Sequence, residues 1–332
     1  MKNPTEELTG IYFFTLVVGY FACAQYDVRS PIVGVADTSP EGGSKHDNLS
    51  NCKNKMITYD GKFFSVKDTL ECGQIFRFRP YEKGYLVFSA DKACYAYNEG
   101  DKAVIDCEKT DEEYFENFFD LARDYSRIYQ SAAGCGDDFV AAAAECGKGI
   151  RILNQERRET LLSFIISQNN HIPRIKGIIE RTCDAYGKQK TFKEVDYRAF
   201  PAAGDLPRDD KTAYDKLGYG YRSEFIRGAS ESLFSGRLDL GDFCSLTTKD
   251  LKKSLMKIKG VGPKVADCVS LFAYHRTDAF PVDTWIEKVY AEDLGGKQKD
   301  RNKITAELEE KYGENSGYIQ QYVFHYKRNN LT

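Results

Sequence analysis

The stretch LKKSLMKIKGVGPKVADC, Leu251–Cys268, reads as a helix, a tight turn and a second helix. Leu251, Leu255 and Ile258 supply an apolar stripe for the first helix, Gly260 and Gly262 permit a sharp reversal with exposed backbone, and Pro263 suits the first turn of the second. The amides of such a turn point outward at a helix N-terminus, which suits a phosphate oxygen. Lys252, Lys253, Lys257 and Lys259 surround it as a local cationic footprint. The formal net charge of -3 conceals that footprint, so any phosphate-binding face must be local. The plainer alternative is an αα-hairpin with a solvated lysine face.

Two further residues carry chemistry. Lys264 follows the turn and leads into Val265, Ala266 and Cys268, at the rim of an apolar surface. An amine that is desolvated and flanked by other cations favours its neutral form, which attacks electrophilic carbon. Asp283, in FPVDTW (Phe280–Trp285), reads either as a helix N-cap or as a carboxylate that stabilises a cationic transition state.

Outward from the hairpin, helical patterns dominate. Arg158–Gln168, Pro173–Gly187, Arg222–Gly236, Asp283–Gly295, Ile304–Gly313 and Gly317–Asn329 are separated by Gly and Pro punctuation. Asp111–Gln130 spaces Phe115, Phe118, Phe119, Leu121 and Ala122 as the buried face of one helix, with Thr110 and Glu113 as a capping box. Upstream, KFFSV (Lys62–Val66), IFRFRP (Ile75–Pro80), GYLVFSA (Gly84–Ala90) and ACYAYNE (Ala93–Glu99) predict antiparallel strands. The expected class is α+β: a poorly ordered extension over 1–55, a small antiparallel sheet domain with a trailing helix over 56–146, and an all-helical domain over 147–332. The ten cysteines lack a CxxC pair or zinc spacing and read as reduced core thiols. Leu8–Gln25 looks like the apolar core of an export signal but lacks a basic flank and is short for a membrane span; an anchor or export signal stays the alternative.

With its lysine and the PVD aspartate, the hairpin resembles the signature of the 8-oxoguanine DNA glycosylases of the helix-hairpin-helix (HhH-GPD) family, with similarity from about Gly73 to Phe324. The resemblance implies removal of 8-oxoguanine opposite cytosine from duplex DNA. Lys264 attacks the anomeric carbon and forms a Schiff base, Asp283 stabilises the oxocarbenium-like sugar, and elimination nicks the strand as an AP lyase. Lys259, Gly260, Val261 and Gly262 contact the DNA backbone, and carbonyls of that turn bind a monovalent cation. The Gly73 carbonyl, in ECGQIFRF, accepts the N7 hydrogen that only the lesion carries; Gln320 binds the Watson–Crick edge, and Cys268 and Phe324 sandwich the base. In SFIISQNNHIPRI (Ser163–Ile175), Asn169 fills the vacated space and Arg174 reads the estranged cytosine; in LGYGYRSEF (Leu217–Phe225), Tyr221 is the wedge and Arg222 the second cytosine contact.

Each site motif also has a bland reading: an Asn-capped helix end, a Gly-Tyr turn, and core packing for Cys268 and Phe324. Trp285 stands where many relatives carry a phosphate-contacting histidine, and His171 replaces an asparagine. No cysteine follows Cys268, which excludes the terminal iron–sulfur cluster of a sister branch. The resemblance implies no metal or other cofactor, a monomer, duplex DNA containing oxidised guanine as partner, and a cytoplasmic, nucleoid-associated site in a bacterium or a nuclear one in a eukaryote. The alternatives are a glycosylase for another damaged purine, against which Lys264 argues, and a non-catalytic DNA-binding hairpin protein.

Overall fold

The computed structural model describes residues 54–207 and 210–330, so the apolar segment Leu8–Gln25 and most of the expected extension lie outside the described residues. No helix among the described residues is long and apolar enough to cross a membrane.

Five antiparallel strands form one sheet: β1 (Asn54–Asp60), β2 (Phe78–Tyr81), β3 (Gly84–Ser89), β4 (Lys92–Glu99) and β5 (Lys102–Glu108), in the order β1-β5-β4-β3-β2. Alternation sends side chains to opposite faces. Val87, Cys94, Ala96, Ile105 and Cys107 face a core shared with Phe64, Leu70, Phe115, Phe118 and Phe119. Leu86, Phe88, Ala93 and Tyr95 face the other way and are covered by Phe192 and Tyr197 of a small hairpin, β6 (Gln189–Phe192) and β7 (Val195–Arg198). That hairpin arises from the helical half of the chain and carries only a weak strand signal of its own.

KFFSV is not a strand. Phe64 is fully buried, and the Ser65 hydroxyl accepts from Asp68 N (3.2 Å), capping a helix, α1 (Val66–Glu71). The Asp111–Gln130 run is likewise two helices, α2 (Glu112–Phe118) and α3 (Tyr125–Ala133). Thr110 lies in a 3-10 turn, and α2 starts at Asp111 with no side-chain cap, so the capping box is absent. The break has a physical cause in Arg151, which is fully buried. Its guanidinium takes the carbonyls of Phe119 (2.8 Å), Asp120, Arg123 (3.3 Å) and Phe63 (3.4 Å) and lies 4.0 Å from the Tyr125 ring centroid. Carbonyls turned to a side chain cannot propagate a helix.

The helical part continues with α4 (Asp138–Gly147), α5 (Arg157–Ser167), α6 (Ile172–Tyr186), α7 (Lys211–Leu217), α8 (Ser223–Phe234), α9 (Thr248–Leu255), α10 (Pro263–Tyr274), α11 (Thr284–Glu292), α12 (Arg301–Tyr312) and α13 (Ser316–Asn330). One core joins them, and it includes Tyr125, Ile128 and Ala132 of α3 and Val140, Ala143 and Ala144 of α4. The alanine-rich α4 has little contrast between its faces, which is why its periodicity escapes notice. Cys72, Cys94, Cys107, Cys183 and Cys268 are buried free thiols, but Cys135 and Cys146 are exposed, against the expectation of core positions.

The turn between α9 and α10 divides its glycines by role. Gly260 has φ +90°, and a Cβ there would stand 2.4 Å from Phe225 Cγ. Gly262 has an ordinary φ of -91° and open space around it, so the reversal does not need it. Its missing side chain leaves the N-terminus of α10 accessible.

Two outcomes test this account. Arg151→Met leaves several buried carbonyls without a donor and lowers unfolding free energy by at least about 3 kcal/mol in urea titrations; a loss under about 1 kcal/mol would show that Arg151 is dispensable. Gly260→Ala costs at least about 1–2 kcal/mol from left-handed backbone alone, whereas Gly262→Ala melts with the wild type.

Candidate active site

Lys264 is the second residue of α10, in the first turn after Gly262, which offers no side-chain cap to the helix amides. Its amine lies 5.2 Å from the ring centroid of Phe164, and Cys268 stands one turn on along α10. The expected ring of lysines does not form around it. Lys252 points inward, 2.7 Å from Asp267 and 2.6 Å from Glu309, and Lys253 pairs with Asp250 (3.4 Å). On α9 the side chain of Lys252 falls on the face packed against α10, where the carboxylate of Asp267 compensates its charge. Burial pushes Asp267 up to about 6 against the pull of Lys252, and burial pushes the Cys268 thiol up to about 11, so the thiol is neutral near pH 7.

Asp283 bears out the helix-cap reading. Oδ1 accepts from Trp285 N and Ile286 N, each at 2.9 Å, as the N-cap of α11. The same residue lines a cleft with Lys264. The loop before it is held by Phe280 N, which donates to Glu309 Oε1 (3.0 Å), the atom that also pairs with Lys252.

This cleft, about 50 Å³ and open to solvent, brings together Gly73, Lys264, Cys268, Asp283, Gln320 and Phe324 from four separate segments. Cys72, Phe164, Phe272, Pro281 and Gln321 complete its lining. Sequence reasoning missed these five, whose only signal is adjacency to named residues or ordinary apolar spacing. Gly73 has φ +92°, and a Cβ there would stand 3.3 Å from Phe324 Cε1. Its carbonyl accepts no hydrogen bond from the described residues. Gln321 Nε2 donates to Gln320 Oε1 (2.8 Å), which orients the Gln320 amide and leaves its N–H groups available. Arg328 closes one side: Nη2 donates to Glu71 O, and the guanidinium lies 5.7 Å from the Phe324 ring centroid.

Asn169, Arg174, Tyr221 and Arg222 assemble apart from the cleft lining, where the loop after α5 meets the loop after α7. Asn169 is exposed with φ +46°, a conformation asparagine tolerates better than most residues. Arg174 is exposed and donates to Gly218 O (3.3 Å), and Tyr221 is 57% exposed. Arg222 differs: it is 2% exposed, donates to Gln168 O and Asn169 O (2.9 Å), and lies 4.4 Å from the Tyr221 ring centroid. In this state its guanidinium braces the Asn169 loop. The plain reading of an Asn-capped helix end also holds: Asn170 Nδ2 donates to Ile166 O (3.1 Å) in the last turn of α5, while the N-cap of α6 is His171, whose Nδ1 accepts from Arg174 N (3.4 Å). In the hairpin, the carbonyls of Gly260 and Gly262 already accept from Gln168 Nε2 (2.7 Å) and Ala266 N (2.9 Å), leaving those of Lys259 and Val261 without a protein donor among the described residues.

Comparison with known proteins agrees with this arrangement. Residues 56–161 match the 8-oxoguanine DNA glycosylase N-terminal domain, and residues 162–314 match the HhH-GPD superfamily of base excision DNA repair proteins. A probable N-glycosylase/DNA lyase of Methanothermobacter thermautotrophicus is 29% identical over 242 residues, 67% of this chain and 76% of the relative. The N-glycosylase/DNA lyase of Saccharomyces cerevisiae is 36% identical over 159 residues, 44% of this chain and 42% of the yeast protein. The Clostridium acetobutylicum 8-oxoguanine glycosylase/lyase, solved with double-stranded DNA containing cytosine opposite 8-oxoG, superposes with a TM-score of 0.79 at 33% identity, covering 84% of this chain and 98% of that one. The sheet domain and the helical domain thus match one lineage: the chain belongs to the 8-oxoguanine DNA glycosylase family of the HhH-GPD superfamily.

Proposed function

We propose that this 8-oxoguanine DNA glycosylase/lyase works through Lys264 on a lesion swung out of the duplex opposite cytosine. The observation that carries the reading is the single cleft lined by an amine, a carboxylate, a free backbone acceptor and a carboxamide. Lys264 Nζ forms a bond to the anomeric carbon as the bond to the base breaks, and Asp283 stabilises the positive charge on the sugar in that transition state. Loss of a proton and opening of the sugar give an imine; elimination then breaks the bond to the 3′ oxygen and nicks the strand.

Selection of the lesion rests on Gly73 O. 8-Oxoguanine bears a hydrogen on N7 where guanine bears a lone pair, so the same carbonyl bonds the lesion and is left unpaired by the normal base. An unpaired buried acceptor costs about 1–3 kcal/mol. Gln320 supports binding at the Watson–Crick edge, between the Cys268 thiol and the Phe324 ring. On the far side of the duplex, Asn169 and Tyr221 occupy the gap and the distorted step, while Arg174 and Arg222 read the cytosine; for Arg222 that contact requires release from the Gln168 and Asn169 carbonyls. The turn Lys259–Gly262 and the open N-terminus of α10 hold the phosphate beside the lesion.

Borohydride trapping on duplex DNA with 8-oxoguanine opposite cytosine gives a covalent adduct with the wild type and none with Lys264→Gln, which still binds; wild-type binding without an adduct would turn the reading to a non-catalytic DNA-binding protein. Arg174→Ala relaxes opposite-base preference by about 1–3 kcal/mol, and equal losses with all four opposing bases would refute the assignment. Gly262→Ala weakens binding at every sequence, in titrations across salt concentration.

A further inference from the structure

One residue to which no role has been given joins the three DNA-facing segments. Gln168 sits at the C-terminal end of α5, immediately before Asn169. Its side-chain Nε2 donates to Ile165 O (3.0 Å) and to Gly260 O in the hairpin turn (2.7 Å). Both partners are carbonyls, so the amide nitrogen must face them. Its own carbonyl accepts from Arg222 Nε (2.9 Å), from Arg222 Nη2, and from Tyr221 OH (3.3 Å). The hairpin that faces phosphate, the loop that carries Asn169 and the loop that carries Tyr221 and Arg222 thus meet at one glutamine.

These bonds impose a geometric consequence. The loop after α5 has left-handed backbone at Asn169 and an exposed stretch from His171 to Arg174, so it has little packing of its own to hold it. Arg222 also binds Asn169 O (2.9 Å) and Arg174 binds Gly218 O (3.3 Å), but among these bonds only those of Gln168 link the loop to the hairpin turn: its side chain reaches Gly260 and its main chain Arg222 and Tyr221. A shift of the turn on meeting a phosphate is transmitted to the gap-filling loop through a 2.7 Å bond. We infer that Gln168 is a positioning residue that ties the phosphate-gripping hairpin to the gap-filling loop, so that strand capture and filling of the vacated stack occur as one movement. This inference rests on the functional reading above.

The test uses the full chain, a duplex with 8-oxoguanine opposite cytosine, and a 2-aminopurine beside the lesion, whose fluorescence rises when its stacking is lost. Gln168→Met removes the donor to Gly260 and keeps the length of the side chain; it lowers the single-turnover excision rate about tenfold, the order expected for one lost buried hydrogen bond, and lowers the fluorescence rise on binding. Gln168→Glu turns a carboxylate toward two carbonyls and is at least as impaired at about pH 8. Its rate relative to the wild type recovers as pH falls to about 5.5, because the protonated carboxyl donates to Gly260 O and repulsion raises its affinity for the proton. Gln168→Met shows no such recovery, and a residue that only packs would give both variants the same pH dependence. The inference is overturned if the wild type excises the base while Gln168→Met matches its rate and fluorescence, or if the two variants share one pH profile. Absence of excision by the wild type would instead sink the functional reading. All rates are read below the melting transition of each variant.

Discussion

The junction between Gln74 and Arg151 is the constraint on which the rest of the molecule depends. Gln74 is fully buried, and its side chain accepts from Leu153 N (2.9 Å) while donating to Arg151 O (2.7 Å) and Thr69 O (2.9 Å). Its own carbonyl accepts from Gln155 Nε2 (2.7 Å). The residue just before it is Gly73, which lines the cleft. Arg151 in turn binds carbonyls from the turn before α1 and from the break between α2 and α3. The base-reading acceptor comes from the sheet half of the chain and the reactive amine from the helical half. A junction in which almost every polar atom has a fixed partner holds such pieces in register to a fraction of an ångström, which apolar packing alone does less selectively.

A second buried network works behind the chemistry. Lys252 bridges Asp267 on α10 and Glu309 on α12, and Glu309 also receives Phe280 N from the loop that leads to Asp283. The lysine thus links the helix of the nucleophile to the loop of the carboxylate. Desolvating these charges is costly, and a compensated triad contributes little net stability. Its value lies in direction: charges paired at one geometry favour one relative placement of Lys264 and Asp283. Trp285, two residues after Asp283, is 38% exposed with Lys288 over its ring (5.6 Å), an aromatic surface next to the loop of the carboxylate.

The legible part of the site was the part that local rules govern. The hairpin, with Pro263 opening α10 and an apolar stripe of Leu251 and Leu255, follows from helix periodicity and punctuation. Asp283 as a cap follows in the same way. Where competing partners lie far off in sequence, local pattern misled: the aromatic run from Asp111 satisfies a helix, but Arg151 takes the carbonyls that would extend it. KFFSV has the residues of a strand, yet the Ser65 cap turns its end into α1. The four lysines around the turn look alike in sequence, and only the packing of α9 against α10 separates Lys252, paired and inward, from the solvated remainder.

The amino-acid sequence by itself determined which groups this protein has for chemistry and the local frames that bear them, because caps, turns and helical faces are set by neighbours a few residues apart. Only the tertiary structure decided that Gly73, Lys264, Asp283, Gln320 and Phe324 share one cleft, that Arg222 is held by two carbonyls, and that Gln168 binds the turn at Gly260. Those facts depend on the relative placement of distant segments, and that placement comes from buried hydrogen bonds and packing between residues that no periodicity connects.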